Sequence, residues 1–476
     1  MPDLIDVLVV GAGPTGLLLA NELGLAGIRT VVIDQLPVRT GQSKALSLQP
    51  RSAEILHSRG WLESIRTYEH ATVPSGHFGG IRLDYSVFDT AFPFQIGVEQ
   101  ADVERFLEEH LATYDIPVLR GRQLTGLSQT AEKVIAIVDG HPDISAKYVV
   151  GADGAHSAVR KLTGFGFPGR DARIQLAVAD LTFSQRPAGI SDQWELPTTG
   201  GYLLPLRDGV HRFLFGGSGA PQTPVPIEEV QEAITAAYGP EAVVGEVRWA
   251  SRFGDASRQA DRYRIGRVLL AGDAAHIHLP AGGQGMNLGL QDAFNLGWKL
   301  AATVAGWAPP GLLDTYHHER HPVAAAVLAN TRAQGVLTVP DPDIQALRAM
   351  VTDLLADPAA NRRLAGEISG LDIQYRMPGG DAELLGRRMP DRTLADGSQL
   401  ADHCRLGRAL FVSDGWKERS YDGRIDPLTA AVDTAFLVRP DGYVCWAGDR
   451  AESLSAAERH WFGAPQHMRS TVHIGS

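Results

Sequence analysis

The chain has 476 residues, of which 44% are hydrophobic and 21% charged, and its formal net charge is −11. This composition is typical of a soluble globular protein, and the length predicts two or three domains. The negative charge and the lack of Lys/Arg blocks argue against a nucleic-acid partner, although plain solubility explains the acidity equally well.

The start of the chain and its cysteines narrow the choice of compartment. The segment "MPDLIDVLVVGAG" has no basic leader, and charged residues or glycines interrupt the apolar runs before they reach the length of a membrane span. Only two cysteines occur, Cys404 and Cys445, and neither lies in a CxxC pair, which argues against a disulfide framework or a thiolate zinc site. We therefore expect a cytoplasmic protein that does not associate with a membrane.

The first elements in chain order predict a nucleotide-binding βαβ unit. The run "IDVLVV" indicates a strand buried on both faces, "GAGPTG" follows it, "LLLANELGLAG" has helical spacing, and "RTVVID" indicates a second strand. Gly11, Gly13 and Gly16 fit G-x-G-x-x-G, and Asp34 ends the second strand. Such glycines let the backbone approach a pyrophosphate at a helix N-terminus, and such an acid accepts hydrogen bonds from a ribose. A purely structural glycine turn is the less favoured alternative.

The central elements are predicted to be strands. Residues 132–140 and 146–154 have strand patterns, and residues 201–217 predict a hairpin that turns at Asp208 and Gly209. A second G-x-G-x-x-G match, "GFGFPG" at residues 164–169, is interpreted as a loop because no apolar strand precedes it and no amphipathic helix follows. We therefore expect one Rossmann nucleotide site.

The final elements are helices followed by a small mixed domain. Helical spacing covers residues 286–306 and 312–335. From about residue 390 the pattern changes to strands, at residues 408–415 and in a hairpin at residues 434–448 that turns on Pro440, Asp441 and Gly442. The tail therefore predicts an appended α/β domain.

The stretch "GDAAHIHLPAGGQGMN", residues 272–287, raises the question of a metal site. Asp273, His276 and His278 are metal-ligand types, but Pro280 and the glycines indicate a loop, and no further ligand is placed nearby. The alternative is a cofactor loop, because Asp273 follows a strand and the loop leads into a helix whose free N–H groups suit the anion of a reduced flavin. We interpret the stretch as a flavin loop in which Asp273 binds the ribityl chain.

Three motifs in this order, "GAGPTG", "VVGADGAHSAVR" at residues 149–160 and "GDAAHIHLPAGGQGMN", resemble those of the single-component FAD-dependent aromatic hydroxylases of the p-hydroxybenzoate hydroxylase type. The chain is most similar to the branch that acts on polyketide aromatics, including rifampicin- and tetracycline-modifying monooxygenases. The resemblance spans residues 1 to about 390, and the tail is similar to the thioredoxin-like C-terminal domain of that branch, here without redox cysteines.

The resemblance implies an α/β fold with a Rossmann-type, GR2-like FAD-binding domain and an interleaved β-sheet substrate domain. The implied FAD-binding domain comprises residues 1–75, 100–175 and 265–390, and the substrate domain comprises residues 76–99 and 176–264. Residues 391–476 would form the thioredoxin-like domain.

The resemblance also implies a set of cofactor contacts. The ADP half of FAD would be held by Gly11, Gly13, Pro14, Thr15, Gly16, Asp34 and Gln35, and the ribityl chain by Gln100 and Asp273, with Gly272. The ring would be surrounded by Pro280, Gly283, Gly285, Met286 and Asn287. A motif shared with transient NAD(P)H binding comprises Asp153, Gly154 and Arg160. For Asp153 the open alternative is a brace for its turn, and for Arg160 a structural ion pair. A surface charge or helix cap is the minor alternative for Asp34 and Asp273.

One position departs from the family pattern. The loop that usually carries an arginine before a small residue reads "GQSKALSLQPRS" here, with Lys44 in the arginine's place. Lysine supplies charge but not the bidentate fork of arginine. The FAD or NAD(P)H contacts that arginine makes at this position are therefore not expected in the same form. Arg51 matches a later family arginine and is the candidate to compensate.

The histidine-rich segment "TYHHERH", residues 315–321, allows a further interpretation. On a helix His317 and His321 share a face, which would permit a metal site or a proton relay. A solvated helix face that includes Glu319 and Arg320 is the favoured interpretation.

The function implied by the resemblance is an NAD(P)H-dependent flavin monooxygenase with non-covalent FAD, NADPH favoured, and no metal. O2 would add to the flavin to give a C4a-hydroperoxide, and one oxygen atom would pass to a small aromatic substrate. No catalytic base is identifiable, and the protein would be a monomer or a homodimer. Baeyer–Villiger or antibiotic-inactivating oxygenation, a reductase or oxidase, and a non-catalytic FAD-binding protein are the alternatives.

Overall fold

The computed structural model describes residues 4–187, 190, 202–220, 223–339, 341–379, 382–416 and 423–464. Residues 191–201 of the predicted substrate domain and residues 465–476 of the predicted C-terminal domain lie outside these ranges. The helices, numbered in chain order, are α1 (Pro14–Leu25), α2 (Pro50–Ser58), α3 (Leu62–Arg66), α4 (Gln100–His110), α5 (Ala158–Thr163), α6 (Ile227–Tyr238), α7 (Gly285–Ala305), α8 (Thr315–Leu337), α9 (Pro342–Leu355), α10 (Pro358–Ser369) and α11 (Ala451–Phe462).

The strands, also in chain order, are β1 (Ile5–Val10), β2 (Thr30–Asp34), β3 (Ser47–Leu48), β4 (Ala71–Val73), β5 (Ser75–Phe78), β6 (Ile81–Asp84), β7 (Gln95–Gly97), β8 (Val118–Arg120), β9 (Leu124–Gln129), β10 (Val134–Val138), β11 (Ile144–Gly151), β12 (Gly169–Arg170), β13 (Gln175–Gln185), β14 (Tyr202–Pro205), β15 (His211–Gly216), β16 (Val243–Gly254), β17 (Ser257–Gln259), β18 (Arg264–Ile265), β19 (Val268–Leu270), β20 (His276–Ile277), β21 (Ala409–Ser413), β22 (Ile425–Thr429), β23 (Ala435–Val438) and β24 (Val444–Gly448).

The main sheet has the order β18-β19-β11-β1-β2-β8, with β10 and β9 added beside β11. Neighbours from β19 to β8 are parallel, whereas β18, β10 and β9 pair antiparallel. The predicted βαβ unit is confirmed as β1, α1 and β2, and every residue of β1 is buried. Helix α1 packs on β1 and β2, and α7 packs on α1. The carboxyl ends of β1, β11 and β19 therefore meet at one edge.

A separate antiparallel sheet has the order β14-β15-β13-β16. One of its faces packs on α6 through alternating apolar residues such as Ala177, Ala179 and Leu181 of β13, which is the period expected of a half-buried strand. The predicted hairpin is confirmed as β14 and β15, with Asp208 at φ 56° in its turn. The "GFGFPG" segment is a loop after α5, as expected, and only its last residue, Gly169, enters β12.

The described tail contains a four-stranded sheet, β22-β21-β23-β24, with α11 beside it. The predicted hairpin is confirmed as β23 and β24, which join at residues 439–443. Trp298 of α7 packs into the same apolar cluster as Phe411 and Trp446 of this sheet, so the tail shares a core with the predicted FAD-binding domain.

Two helices that the sequence analysis does not predict, α9 and α10, follow α8. Asp341 and Asp357 cap them by accepting hydrogen bonds from backbone N–H groups, and Pro342 and Pro358 occupy the first helical positions. This Asp-Pro pattern is a helix-start signal that could have been used. Along the part of the chain that the structure describes, no helix combines the length and apolar character needed to cross a membrane.

The interpretation of "TYHHERH" as a solvated face is wrong for two of its residues. His317 and His321 do share a face of α8, with ring centroids 4.8 Å apart. Glu319 and Arg320, however, are buried, and Arg320 is fully buried. Local sequence did not reveal this because their partners, Asp292, Lys299 and Arg439, are supplied by α7 and by the C-terminal hairpin.

The two cysteines are expected to be chemically inert in the folded protein. Cys404 and Cys445 are free, buried and members of different apolar clusters. Burial raises the pKa of the Cys404 thiol to about 11 and raises the pKa of Cys445 further, so the reactive thiolate is scarce. Titration with a chromogenic disulfide should detect no fast thiol in native protein and two after unfolding. Fast native reaction, or turnover lost in a folded double Ala variant, would contradict this expectation.

Candidate functional site

The glycine turn after β1 leaves no room for a side chain at Gly11 or Gly16, whereas a Cβ on Gly13 would meet no described atom within 4 Å. Gly11 has a φ of +109°, and a Cβ there would overlap the carbonyl oxygen of Ala152, which follows β11. A Cβ on Gly16 would overlap the Gly11 carbonyl oxygen. Gly13 is the N-cap of α1, and no described side chain caps that helix. The backbone and the helix N-terminus are therefore available to a phosphate group.

Asp34 lies directly beside this turn at the end of β2. Its carboxylate accepts hydrogen bonds from the Ala12 N–H and the Leu36 N–H, both at 2.8 Å. The acid thus joins the glycine turn to the following loop, while Gln35 beside it is exposed.

Thr15 has a packing role that its position in the motif did not reveal. Its Oγ1 would be 2.7 Å from a Cβ on Gly272 and would overlap a Cβ on Gly289 of α7. Glycines at these two positions therefore allow α1, α7 and the turn after β19 to come into close contact. Pro14, beside Thr15, begins α1.

Asp153 and Arg160 hold the second motif in shape. The Asp153 carboxylate accepts hydrogen bonds from the Ser157 hydroxyl at 2.5 Å and from the Ala158 N–H at 2.7 Å, and burial raises its pKa. Gly154 follows with a φ of +76°. Arg160 donates to the carbonyls of Ala155 and Ala274, at 2.8 and 2.9 Å. The geometry favours the brace for Asp153, and backbone carbonyls take the place of the ion pair considered for Arg160.

The third motif carries Asp273 on a tight turn after β19. Gly272 adopts a φ of +61°, which few residues other than glycine tolerate, and the Asp273 carboxylate that follows is exposed. The turn is held from behind by Asp292 of α7, whose carboxylate accepts a hydrogen bond from the Gly272 N–H at 3.1 Å. Asp273 is therefore presented from a fixed turn at the same edge as the glycine turn.

The loop from Pro280 to the start of α7 presents backbone rather than side chains. Gly282 and Gly283 have φ values of +70° and +64°, and α7 begins at Gly285 without a described side-chain cap. Pro280 and Gly283 are exposed, whereas Gly285 and Met286 are half-buried. The helix start predicted near Met286 is confirmed to within one residue.

Asn287 braces this loop instead of facing outward. Its side chain accepts a hydrogen bond from the Gln49 N–H at 2.8 Å and donates to the carbonyls of Ser47 and Gly283, at 3.0 and 2.8 Å. Gln49 in turn donates to the Gly282 carbonyl at 2.9 Å. The side chain of Asn287 therefore supports the loop, and its expected contact with the flavin ring stays a prediction.

Gln49 and two further buried polar residues in this support, Gln95 and Tyr85, were not predicted from the sequence. Gln95 accepts from Gln49 at 3.0 Å and from the Ser47 hydroxyl at 3.1 Å, and the Tyr85 hydroxyl donates to Gln49 at 3.0 Å. Isolated glutamines and tyrosines carry no motif, so only the three-dimensional structure identifies them.

Lys44, Gln100 and Arg51 occupy different surroundings. Lys44 is exposed, and the neighbouring Ala45 N–H donates to the Gln100 side chain at 3.1 Å. Arg51 is buried and donates to Glu54 at 2.9 Å and to the Asp441 carbonyl at 3.1 Å, in the contact with the C-terminal domain. These contacts place the Nη1 and Nη2 groups of Arg51 against α2 and the C-terminal turn, and its role as the residue that compensates for Lys44 stays a prediction.

The metal-ligand types in the third motif do not converge. His276 is fully buried, and its Nε2 lies 2.6 Å from Asp292. His278 instead contacts the Leu279 carbonyl through Nδ1 at 2.7 Å. Within the described ranges, no group of three or more His, Cys, Asp or Glu side chains is arranged to hold a metal ion.

Asp292 is the centre of a buried polar cluster behind the turn. Besides Gly272 and His276, it accepts a hydrogen bond from the guanidinium of Arg320 at 2.7 Å. Burial alone would raise the pKa of Asp292, but the charge of Arg320 and the contact with His276 outweigh it and lower that pKa. The carboxylate therefore stays ionised and holds the turn as a charged acceptor.

Known protein families and individual known proteins both match the sequence of this chain. Residues 4–331 match the family described as "FAD binding domain", and residues 382–465 match "Aromatic-ring hydroxylase, C-terminal". The 12-dehydrotetracycline 5-monooxygenase/anhydrotetracycline 6-monooxygenase of Streptomyces rimosus is 43% identical over 97% of this chain and 99% of that protein. The rifampicin monooxygenase of Streptomyces venezuelae is also 43% identical, over 97% and 99%.

Solved structures extend the match to three dimensions. OxyS anhydrotetracycline hydroxylase from Streptomyces rimosus superposes with a TM-score of 0.89 at 42% identity, covering 97% of this chain and 100% of that chain. The resemblance drawn from the three motifs is therefore confirmed. The chain belongs to the family of FAD-binding aromatic-ring hydroxylases.

Proposed function

We propose that this protein is a single-component flavin monooxygenase that uses NAD(P)H and O2 to hydroxylate an aromatic, polyketide-derived substrate. The observation that carries the proposal is the meeting of three motifs at one sheet edge, where side chains are excluded at Gly11 and Gly16 and Asp273 is exposed. A site built this way fits a dinucleotide whose phosphates approach the backbone. The polyketide substrate class is suggested by the names of the tetracycline- and rifampicin-modifying relatives.

The proposed cofactor contacts follow the geometry. The glycine turn and the N-terminus of α1 would hold the pyrophosphate, and Asp34 the adenosine ribose. Asp273 would accept hydrogen bonds from the ribityl chain, with Gln100 nearby, and Pro280 to Asn287 would surround the ring. The N-terminus of α7 favours negative charge on the reduced ring. When bound, FAD supplies the redox and oxygen chemistry, with NADPH as the favoured electron donor.

For the substrate we propose the face of the β14-β15-β13-β16 sheet that lies opposite α6. This face carries Arg212, which forms two hydrogen bonds with Asp180 at 2.7 Å and lies 5.3 Å from the Trp249 ring. Tyr202 shares the face, and burial raises its pKa, so its hydroxyl stays protonated. An aromatic surface with fixed polar groups suits a planar, hydroxylated ring system.

The test is cofactor release followed by product analysis. Purified protein is expected to be yellow and to release free FAD on denaturation. Anhydrotetracycline and rifampicin serve as probe substrates for stimulated NAD(P)H oxidation, and ¹⁸O2 should place one labelled atom in the product as a ring hydroxyl. A labelled ester would indicate a Baeyer–Villiger reaction instead. Bound FAD without NAD(P)H oxidation across a panel of aromatic polyketides would contradict the monooxygenase proposal.

A further inference from the structure

Besides the cluster around Asp292, a second group of buried charges lies where α7 and α8 meet the turn between β23 and β24. Arg439 is almost fully buried and donates to both carboxylate oxygens of Glu319, at 2.6 and 2.9 Å. It also donates to Asp441 at 2.5 Å. Lys299 of α7 completes the group by donating to Glu319 at 2.8 Å.

These charges depend on one another. Burial alone would raise the pKa of Glu319, but the charges of Arg439 and Lys299 outweigh it and lower that pKa to about 2. Removing one member of such a group leaves an uncompensated buried charge, so the members hold each other in place. The C-terminal hairpin therefore supplies a charge that α8 requires.

Arg320, the next residue of α8, connects this group to the cluster behind the turn of Asp273. Its Nη1 donates to the Tyr375 hydroxyl at 3.0 Å, and its Nε donates to Asp292 at 2.7 Å. The Arg439 guanidinium lies 5.6 Å from the Tyr375 ring, which packs 4.3 Å from the Tyr443 ring beyond the turn. Tyr375 therefore contacts both arginines, Arg320 through its hydroxyl and Arg439 through its ring.

The connection reaches the turn through two independent contacts. Asp292, held by Arg320, accepts the Gly272 N–H at 3.1 Å. Tyr316, one turn of α8 before Arg320, donates its hydroxyl to the Leu270 carbonyl at 2.8 Å at the end of β19. A shift of α8 would therefore move the turn that presents Asp273.

We propose that Arg439 is a positioning residue for the bound flavin. By holding Glu319, and by contacting the ring of Tyr375 that binds Arg320, it fixes α8. The helix in turn fixes the turn of Asp273 through Arg320 and Tyr316. The C-terminal domain would then contribute to cofactor geometry without contacting the cofactor. This inference rests on the proposed function in one respect, namely that FAD binds at the turn of Asp273.

The test compares two arginine-to-lysine variants of the same domain. Lysine at position 439 keeps the charge but cannot reproduce the fork that engages both acids. Arg408, which is partly exposed and lies 3.3 Å from Asp426, provides the matched control R408K. For each protein we would measure the thermal midpoint, the FAD dissociation constant, the absorption spectrum of bound flavin and kcat at saturating FAD.

We expect R439K to weaken FAD binding about tenfold, at the upper end of the range for coupled residues, and to shift the flavin absorption bands. R408K should change neither. A lower thermal midpoint for R439K with unchanged FAD affinity, flavin spectrum and kcat would overturn the proposal, because that pattern indicates a structural role alone.

If R439K does not fold, a milder variant, Y375F, tests the same proposal. Y375F removes only the hydroxyl that accepts from Arg320 and keeps the ring that packs on Tyr443. We expect it to weaken FAD binding about threefold and to shift the flavin spectrum. A Y375F protein with wild-type affinity and spectrum would overturn the proposal, whereas a wild-type protein that binds no FAD would refute the proposed function instead.

Discussion

Replacing Asp273 by alanine is expected to lower turnover about a hundredfold even when FAD is saturating, because a misplacement of roughly 1 Å at a reacting centre can have an effect of this size. Asp273 is exposed on a turn that Asp292 fixes, at the proposed junction of ribityl chain and ring. Asp34 lies at the proposed adenosine end. Asp34→Ala is therefore expected to weaken FAD binding by about tenfold or more but to regain turnover as FAD is added.

The measurement is NAD(P)H oxidation and product yield against FAD concentration for both variants. Asp139→Ala, an exposed acid in the turn between β10 and β11, is the matched control and should behave as wild type. If Asp273→Ala recovers with FAD as fully as Asp34→Ala does, Asp273 only tethers the cofactor, and the third motif does not lie against the reacting ring.

Replacing Arg320 by methionine is expected to destabilise the protein by about 3–5 kcal/mol, the usual effect of removing one partner from a buried ion pair. Both Arg320 and Asp292 are fully buried, and the guanidinium also donates to Tyr375. The change would leave the Asp292 carboxylate without its nearest fixed positive charge. Urea unfolding followed by circular dichroism measures the effect.

Arg363→Met is the control for this variant. Arg363 pairs with Glu367 at 3.6 Å on α10, but its side chain is 83% exposed, so the expected change is below about 0.5 kcal/mol. Equal effects of the two variants would mean that the buried cluster contributes no more than a surface pair. Methionine fills much of the arginine volume, so a large difference reports the charge rather than a cavity.

The parts of the fold that the sequence predicts are those whose signals are local. The run of β1, the glycines before α1 and the helix start at α7 each depend on neighbouring residues, and each is confirmed. Three motifs in order were enough to identify the family, and they converge at one sheet edge.

The parts that failed depend on residues far apart in the chain. Glu319 and Arg439 are separated by 120 positions, so the spacing within "TYHHERH" could not show that Glu319 is buried. The contact of Arg51 with the Asp441 carbonyl in the C-terminal turn likewise joins residues 390 positions apart, so its place in a motif could not show it. Gln49 and Gln95 support the loop from Pro280 to α7 only through pairing between segments that are far apart in the sequence.

The burial of both native thiols makes the protein suited to single-site labelling. Because Cys404 and Cys445 are enclosed and hold their protons, a cysteine introduced at an exposed position such as Leu406, 59% exposed in the C-terminal domain, would be the preferred target of a maleimide dye. Energy transfer between such a dye and a fluorescent ligand at the proposed cofactor site would then report the distance between that site and the C-terminal domain.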